Sequence, residues 1–197
     1  KNMASQVEKM IIWGDLRASD IYNLTAIRTS DQGNRDNFRN IIQADIDTTW
    51  SYYDWSGMYT TIGYCNKVLQ HGAEVLEKDK QFTASEWRQM KAEMVTMRAL
   101  SYFYLVRAFK SIPYTTKVVN SDTEVEYFPQ LPVLDVMDSL INDVESVAGQ
   151  ARNRFVEPKE TKGMITNTAI YALLSDMYLW RASLRQGRSA ADSTITQ

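Results

Sequence analysis

Four long stretches of this chain repeat apolar residues at three- and four-residue steps, and that spacing commits them to α-helix. Over 50–77 the stripe is Trp55, Met58, Tyr59, Ile62, Cys65, Leu69, Ala73 and Leu76. Over 83–110 it is Met90, Met94, Met97, Leu100, Tyr104 and Ala108. Over 132–149 it is Val133, Val136, Leu140, Ile141, Val144 and Val147. Over 165–185, Ala169, Ala172, Leu173, Asp176, Leu179, Trp180 and Ser183 line one side. A shorter stripe of Met3, Val7, Met10, Ile11 and Leu16 marks a first helix over 2–18. With 8 Gly and 4 Pro in 197 residues, helix breakers are scarce. The spacing predicts an all-α fold.

Local chemistry punctuates the helices. Thr83-Ala-Ser-Glu86 is a capping box, in which the Thr oxygen takes the amide three residues on and Glu86 reaches back. Pro113 ends the helix before it, because it has no N–H to donate and disfavours helical geometry at Ile112. Pro132 suits a first helical turn and Gly149 a stop. Residues 22–48 lose the period, and the polar run 29–37 reads as part of a long loop. Residues 111–131 read as an extended connector, where only Thr115–Val119 hints at two-residue alternation. The four later helices then pair as 50–77 with 83–110 and 132–149 with 165–185. Unequal loops rule out a strict 34-residue repeat, but two tetratricopeptide-like units with insertions fit. Stacked units of this kind commonly present a surface to a partner.

Charge and residue counts exclude several functions. Lys and Arg number 22 against 24 Asp and Glu, a net charge of −2, so the excess of cations that nucleic-acid binding needs is absent. One Cys and one His cannot build a Cys/His zinc site or an internal disulfide framework. Cys65 lies in an apolar stripe, and His71 six residues on falls on another face, so they form no catalytic pair. The sequence has no phosphate loop and no nucleophile–base pattern, so the expectation is a protein without catalytic activity, cofactor or metal. No run approaches the ~18 apolar residues of a membrane span, and no signal peptide is visible. The chain opens on Lys1 and closes on Ser193-Thr-Ile-Thr-Gln197, which reads as an excised piece of a longer protein.

The residues of these helices resemble those of the SusD/RagB family, the surface glycan-binding lipoproteins of Bacteroidetes nutrient uptake. Segment 54–69 is similar to that family's first repeat helix. Segment 91–114, with Arg98-Ala-Leu-Ser-Tyr-Phe-Tyr-Leu-Val-Arg107 at its centre, is similar to its most recognisable stretch. Segment 162–181 and the opening Gly14-Asp-Leu-Arg-Ala-Ser-Asp20 also fit. One departure is Lys110-Ser111, where the family usually carries Gly-Asp before the turn into Pro113. The resemblance implies that residues 1–197 form the family's amino-terminal helical domain, with the rest of the longer protein and its lipid-bearing Cys outside this sequence. It implies an oligosaccharide or polysaccharide ligand, a SusC-like TonB-dependent transporter as partner, and an outer-membrane location. The alternative is a helical scaffold that contacts the transporter and has little sugar affinity of its own.

Asp47-Thr-Thr-Trp-Ser-Tyr-Tyr-Asp-Trp55 places four aromatic rings in nine residues. Sugar rings present flat C–H faces that stack on such rings, while carboxylates and amides bond the hydroxyls. Trp50 and Tyr53 are the candidate stacking residues and Arg39 and Asp47 the candidate polar ones, because the resemblance places glycan contacts in the loops before the first repeat pair. The competing reading is that the rings close the core at a helix start, and Trp55, inside the stripe, is expected to be buried. Tyr102, Phe103, Tyr104 and the Met90, Met94 and Met97 series read as core. Arg98, Arg107 and Asp176 sit among buried-type residues, where an isolated charge is costly, so an ion pair of Asp176 with an arginine of helix 83–110 is expected.

Overall fold

A computed structural model describes residues 6–16, 53–118 and 127–195, without the side chains at 15, 16 and 188–195. The described residues are mostly helical. In chain order they form α1 (Val7–Ile11), a π-helical turn (Ile12–Leu16), α2 (Ser56–Lys78), α3 (Ala84–Phe109), β1 (Ile112–Pro113), β2 (Gln130–Leu131), α4 (Val133–Glu145), α5 (Pro158–Gly163) and α6 (Asn167–Ile195). The backbone divides into two compact units, residues 1–60 and 61–197. The loop expected over 22–48 lies outside the described residues. So do residues 119–126 of the connector.

In the second unit α2 and α3 form one helix hairpin, and α4 and α6 form another, as tetratricopeptide-like pairing requires. The capping box is complete. Thr83 Oγ1 accepts from the Glu86 N–H at 3.2 Å, and the Glu86 carboxylate accepts from the Thr83 N–H at 2.8 Å. The α2–α3 hairpin closes tightly where Gly72 meets the Trp87 ring. In the other pair, Arg181 forms an ion pair with Asp138, and Tyr178 bonds Glu145. These contacts run α6 antiparallel to α4.

The core is built from Ile62 and Cys65 of α2, Tyr102, Phe103 and Leu105 of α3, Val136, Met137 and Leu140 of α4, and Ile170 and Met177 of α6. Two stripes read from the sequence are corrected by this arrangement. On α3 the fully covered face carries Ala92, Val95, Thr96, Ala99, Tyr102 and Val106. Met94, Met97, Leu100 and Tyr104 are only half-buried, and Met90 is 39% exposed. On α6 the covered face is Ile170, Leu174 and Met177, whereas Ala169 and Ala172 are exposed and Leu179 is 72% exposed. Both helices carry apolar residues on two faces; on α3 packing covers the face that includes the small Ala92 and Ala99, and on α6 the face with the larger Ile170, Leu174 and Met177.

The helix ends show why the chain turns where it does. Pro132 stands one position earlier than expected, as the N-cap of α4, with its carbonyl accepting from Asp135 and Val136. Gly149 adopts φ +81°, a backbone conformation that glycine reaches at no steric cost, after a run of turns beyond α4. Lys110 is the positive-φ residue other than glycine among those described, at φ 64° and ψ −96°. It still donates its N–H to the Val106 carbonyl at 2.9 Å. A Cβ is strained in that conformation, and this is the position where the resembling family carries Gly. Lys110→Gly is therefore expected to raise the unfolding free energy by about 1 kcal/mol, read as a higher urea midpoint at unchanged slope.

Past Lys110 the chain is extended. β1 pairs antiparallel with β2, Ile112 opposite Leu131 and Pro113 opposite Gln130. Residues 114–118 form no strand, which corrects the hint of alternation from Thr115 onward. The reason is local. Thr115 exchanges its N–H and carbonyl with the Tyr102 hydroxyl, at 3.1 and 2.8 Å. The Asn66 amide donates to the carbonyls of Thr115 and Lys117 at 3.3 and 3.2 Å. Side chains of α2 and α3 thus take the backbone groups that a neighbouring strand would need.

Candidate functional site

The candidate glycan-binding stretch ends where α2 begins, in the first unit. Asp54 sets that start. Its carboxylate accepts from the Ser56 N–H at 2.9 Å and from the Ser56 hydroxyl at 2.8 Å, closing a turn of the kind Asp favours before a helix. Lys9 of α1 donates its ammonium to the Asp54 carbonyl at 2.8 Å and lies 3.4 Å from the carboxylate. The Ser56 N–H, then the Ser56 hydroxyl and Lys9, hold the Asp54 carboxyl below its ordinary range. A carboxylate so held stays an acceptor at neutral pH.

Around this turn stand three rings. Tyr53 is 39% exposed. Trp55 meets Tyr59 edge-to-face, with centroids 5.7 Å apart and planes at 78°, an arrangement that the ring quadrupoles favour. Trp55 is half-buried, which corrects the expectation of a buried core residue. The Trp55 carbonyl accepts from the Met58 and Tyr59 amides, so its backbone already belongs to the first turn of α2 and its side chain is carried at the helix tip. Of the sequence-derived candidates, Tyr53 is placed beside this turn. Arg39, Asp47 and Trp50 lie outside the described residues.

A second polar cluster lies inside the second unit. Arg98 is 7% exposed. It donates to Asn66 Oδ1 at 2.9 Å and to Asp143 Oδ2 at 2.8 Å, and Tyr114 donates to the same carboxylate oxygen at 3.3 Å. The expected ion pair of Asp176 forms with Arg107, at 3.5 Å. It is not a buried pair: the guanidinium rests over the rings of Phe103, Tyr104 and Trp180, 5.1 to 5.7 Å from their centroids, and both partners remain partly exposed. Sequence reasoning missed Asn66 and Asp143. The signal was a polar residue inside each apolar stripe, Asn66 four past Ile62 and Asp143 next to Val144.

None of this cluster resembles an activated nucleophile or base. Burial pushes the Cys65 thiol up to about 11 and the Tyr102 hydroxyl up to about 12. Burial, and then the Asp143 charge, pushes the Tyr114 hydroxyl upward as well. Among the described residues no group of His, Cys, Asp and Glu could hold a metal ion. No described helix is long and apolar enough to cross a membrane.

Comparison with known proteins joins these observations. A SusD-like family described as starch-binding and associating with the outer membrane matches residues 2–179. A SusD-like protein P2 of Formosa agariphila is 22% identical over 163 residues, which are 83% of this chain and 30% of that protein. Among solved structures, a SusD superfamily protein of Bacteroides thetaiotaomicron superposes with a TM-score of 0.75 at 14% identity, covering 99% of this chain and 44% of the other. A laminarin-binding SusD-like protein superposes at 0.65 and 20% identity, covering 93% and 41%. The chain thus spans less than half the length of each of these relatives. With a match that runs from residue 2 into α6, over most of the chain, the chain belongs to the SusD-like family.

Proposed function

We propose that this chain is the helical part of a non-catalytic glycan-binding component of an outer-membrane nutrient uptake system. In this reading the intact protein is a surface lipoprotein that takes up an oligosaccharide and passes it to a SusC-like TonB-dependent transporter. The observation that carries the proposal is the family match across residues 2–179. The aromatic turn at the start of α2 supports it, because Tyr53 offers exposed ring surface beside the ionised Asp54 carboxylate. Trp50, Arg39 and Asp47 complete the proposed site from the preceding segment. Such a site works by stacking and hydroxyl bonding, with no bond broken.

The test is calorimetry of the protein against a panel of neutral and acidic polysaccharides, with Trp50→Ala alongside. We expect binding to at least one glycan and at least a fivefold weaker Kd in the variant, about 1 kcal/mol of lost stacking. Absence of binding to every glycan overturns the function. Unchanged affinity in the variant overturns the site.

A second reading is a protein-interaction scaffold that contacts the transporter. The side chains that α3 and α6 turn outward favour it, with Tyr171 53% exposed besides Met90 and Leu179. Co-purification with a transporter barrel in the absence of glycan supports this reading over the first.

A further inference from the structure

Between α4 and α6 the chain folds a loop around α5, and this loop borders an open surface cavity of about 730 Å³. Its walls are Arg154, Phe155, Val156, Pro158, Thr161 and Lys162. The loop is fastened at its base. Asn167 exchanges side-chain bonds with the Ala151 backbone at 2.8 and 3.0 Å, and its own N–H donates to the Arg152 carbonyl at 3.0 Å. The wall is fastened too. Thr161 Oγ1 accepts the Phe155 N–H at 2.8 Å and donates back to the Phe155 carbonyl at 3.3 Å. Arg152 lies over the Phe155 ring, 5.4 Å from its centroid, with its Nε donating to Gln89 at 2.8 Å. The Phe155 backbone is therefore held on both its N–H and its carbonyl, with the Arg152 guanidinium against its ring.

The charge of this loop is uneven. Arg152, Arg154, Lys159 and Lys162 outnumber Glu157 and Glu160 across residues 152–162, and of these cations Arg152 also interacts with Glu86 and Glu93 of α3. Arg152 is engaged with Gln89 and Phe155. The side chains of Arg154 and Lys162 make no ion pair or hydrogen bond among the described residues. An aromatic ring and two uncommitted cations around one cavity suit a ring-shaped ligand that carries a negative charge. The ring presents C–H faces to Phe155, and the cations answer a carboxylate or sulfate.

We propose that this cavity is a second glycan contact, specific for an acidic sugar unit, a uronate or a sulfated residue. The proposal rests on the glycan-binding reading above and narrows its substrate class to anionic polysaccharide at this site.

Affinity electrophoresis and calorimetry test it, with polygalacturonate, a sulfated galactan, neutral laminarin and polyglutamate as probes. We expect the protein to bind polygalacturonate or the sulfated galactan, and the choice between them tells carboxylate from sulfate. Arg154→Gln with Lys162→Gln should weaken that binding at least tenfold. Lys78→Gln with Lys80→Gln, two charges removed at the far end of α2, should change it less than twofold. Both pairs are exposed surface positions where substitution leaves folding intact. Equal loss in the two variants, no loss in the first, or polyglutamate binding as tightly as the sugar polymers overturns the inference. If laminarin binds and neither acidic polysaccharide does, this inference falls while the glycan-binding reading stands. If no polysaccharide binds, both fall.

Discussion

Asp143→Ala is expected to lower the unfolding free energy by about 3 kcal/mol, measured by urea denaturation followed by circular dichroism. The substitution removes the carboxylate that Arg98 contacts at 2.8 Å. The guanidinium is then left buried with Asn66 as its remaining partner, and Tyr114 loses its acceptor. Breaking a buried ion pair from one side costs about 3–5 kcal/mol, because the surviving charge stays desolvated. The lower end applies here, since the Asp143 side chain is one-third exposed and water can partly replace it. Asp143→Asn keeps an acceptor and should cost about 1 kcal/mol. Arg98→Met with Asp143→Leu removes both charges and should recover about half of the single-variant loss, the remainder being the unpaired Asn66 oxygen. A loss below 1 kcal/mol in Asp143→Ala would show that the cluster contributes little.

Gly72→Ala should also destabilise, by about 1–2 kcal/mol, although alanine is the better helix former. Propensity alone favours Ala over Gly by about 1 kcal/mol inside a helix. Packing opposes it. A Cβ on Gly72 would sit 2.0 Å from Trp87 Cζ3 and 2.2 Å from Cη2. The indole is a rigid plate that must move as a whole, and it already packs edge-on against Phe82 at 6.5 Å. Overpacking of this kind costs about 1–3 kcal/mol and outweighs the propensity gain. The sign reverses when the ring is removed. In a Trp87→Leu background, Gly72→Ala should be neutral or stabilising, and a double-mutant cycle reads the coupling directly. Additive effects in that cycle would contradict the close approach.

Much of the helical order was legible in the sequence. The capping box of Thr83 and Glu86 is a local chemical signal and appears as read. Pro113 and Gly149 mark only the outer limits of their helices, which end earlier, at Phe109 and Glu145. The faces of α3 and α6 were not legible, because period tells that a helix has an apolar side but not which of two sides its neighbours cover. The covered side of α3 hides its character behind Ala92, Thr96, Arg98 and Ala99, all of them small or polar. The exposed Met90 looks more like core than Ala92 or Thr96, which are buried. Resemblance located the candidate site near the start of α2, and the structure places Tyr53 there beside an ordered Asp54 turn. It could not foresee the Arg98 cluster, whose members lie 32 and 45 positions apart along the chain. Nor could it find the cavity beside α5, since nothing in the spacing of Arg154, Phe155 and Lys162 distinguishes a pocket from a polar loop.

The two-residue ribbon of β1 and β2 has an evolutionary reading. Ile112 facing Leu131 pins the chain's departure from α3 and its return to α4 at one spot, and the grip of Tyr102 and Asn66 on Thr115 and Lys117 secures the outgoing leg. Because both legs are held there, lengthening the chain between the clamps adds only a logarithmic entropy penalty. The fold can therefore accept insertions and deletions between β1 and β2 at little thermodynamic cost, which makes that stretch an exchangeable cassette.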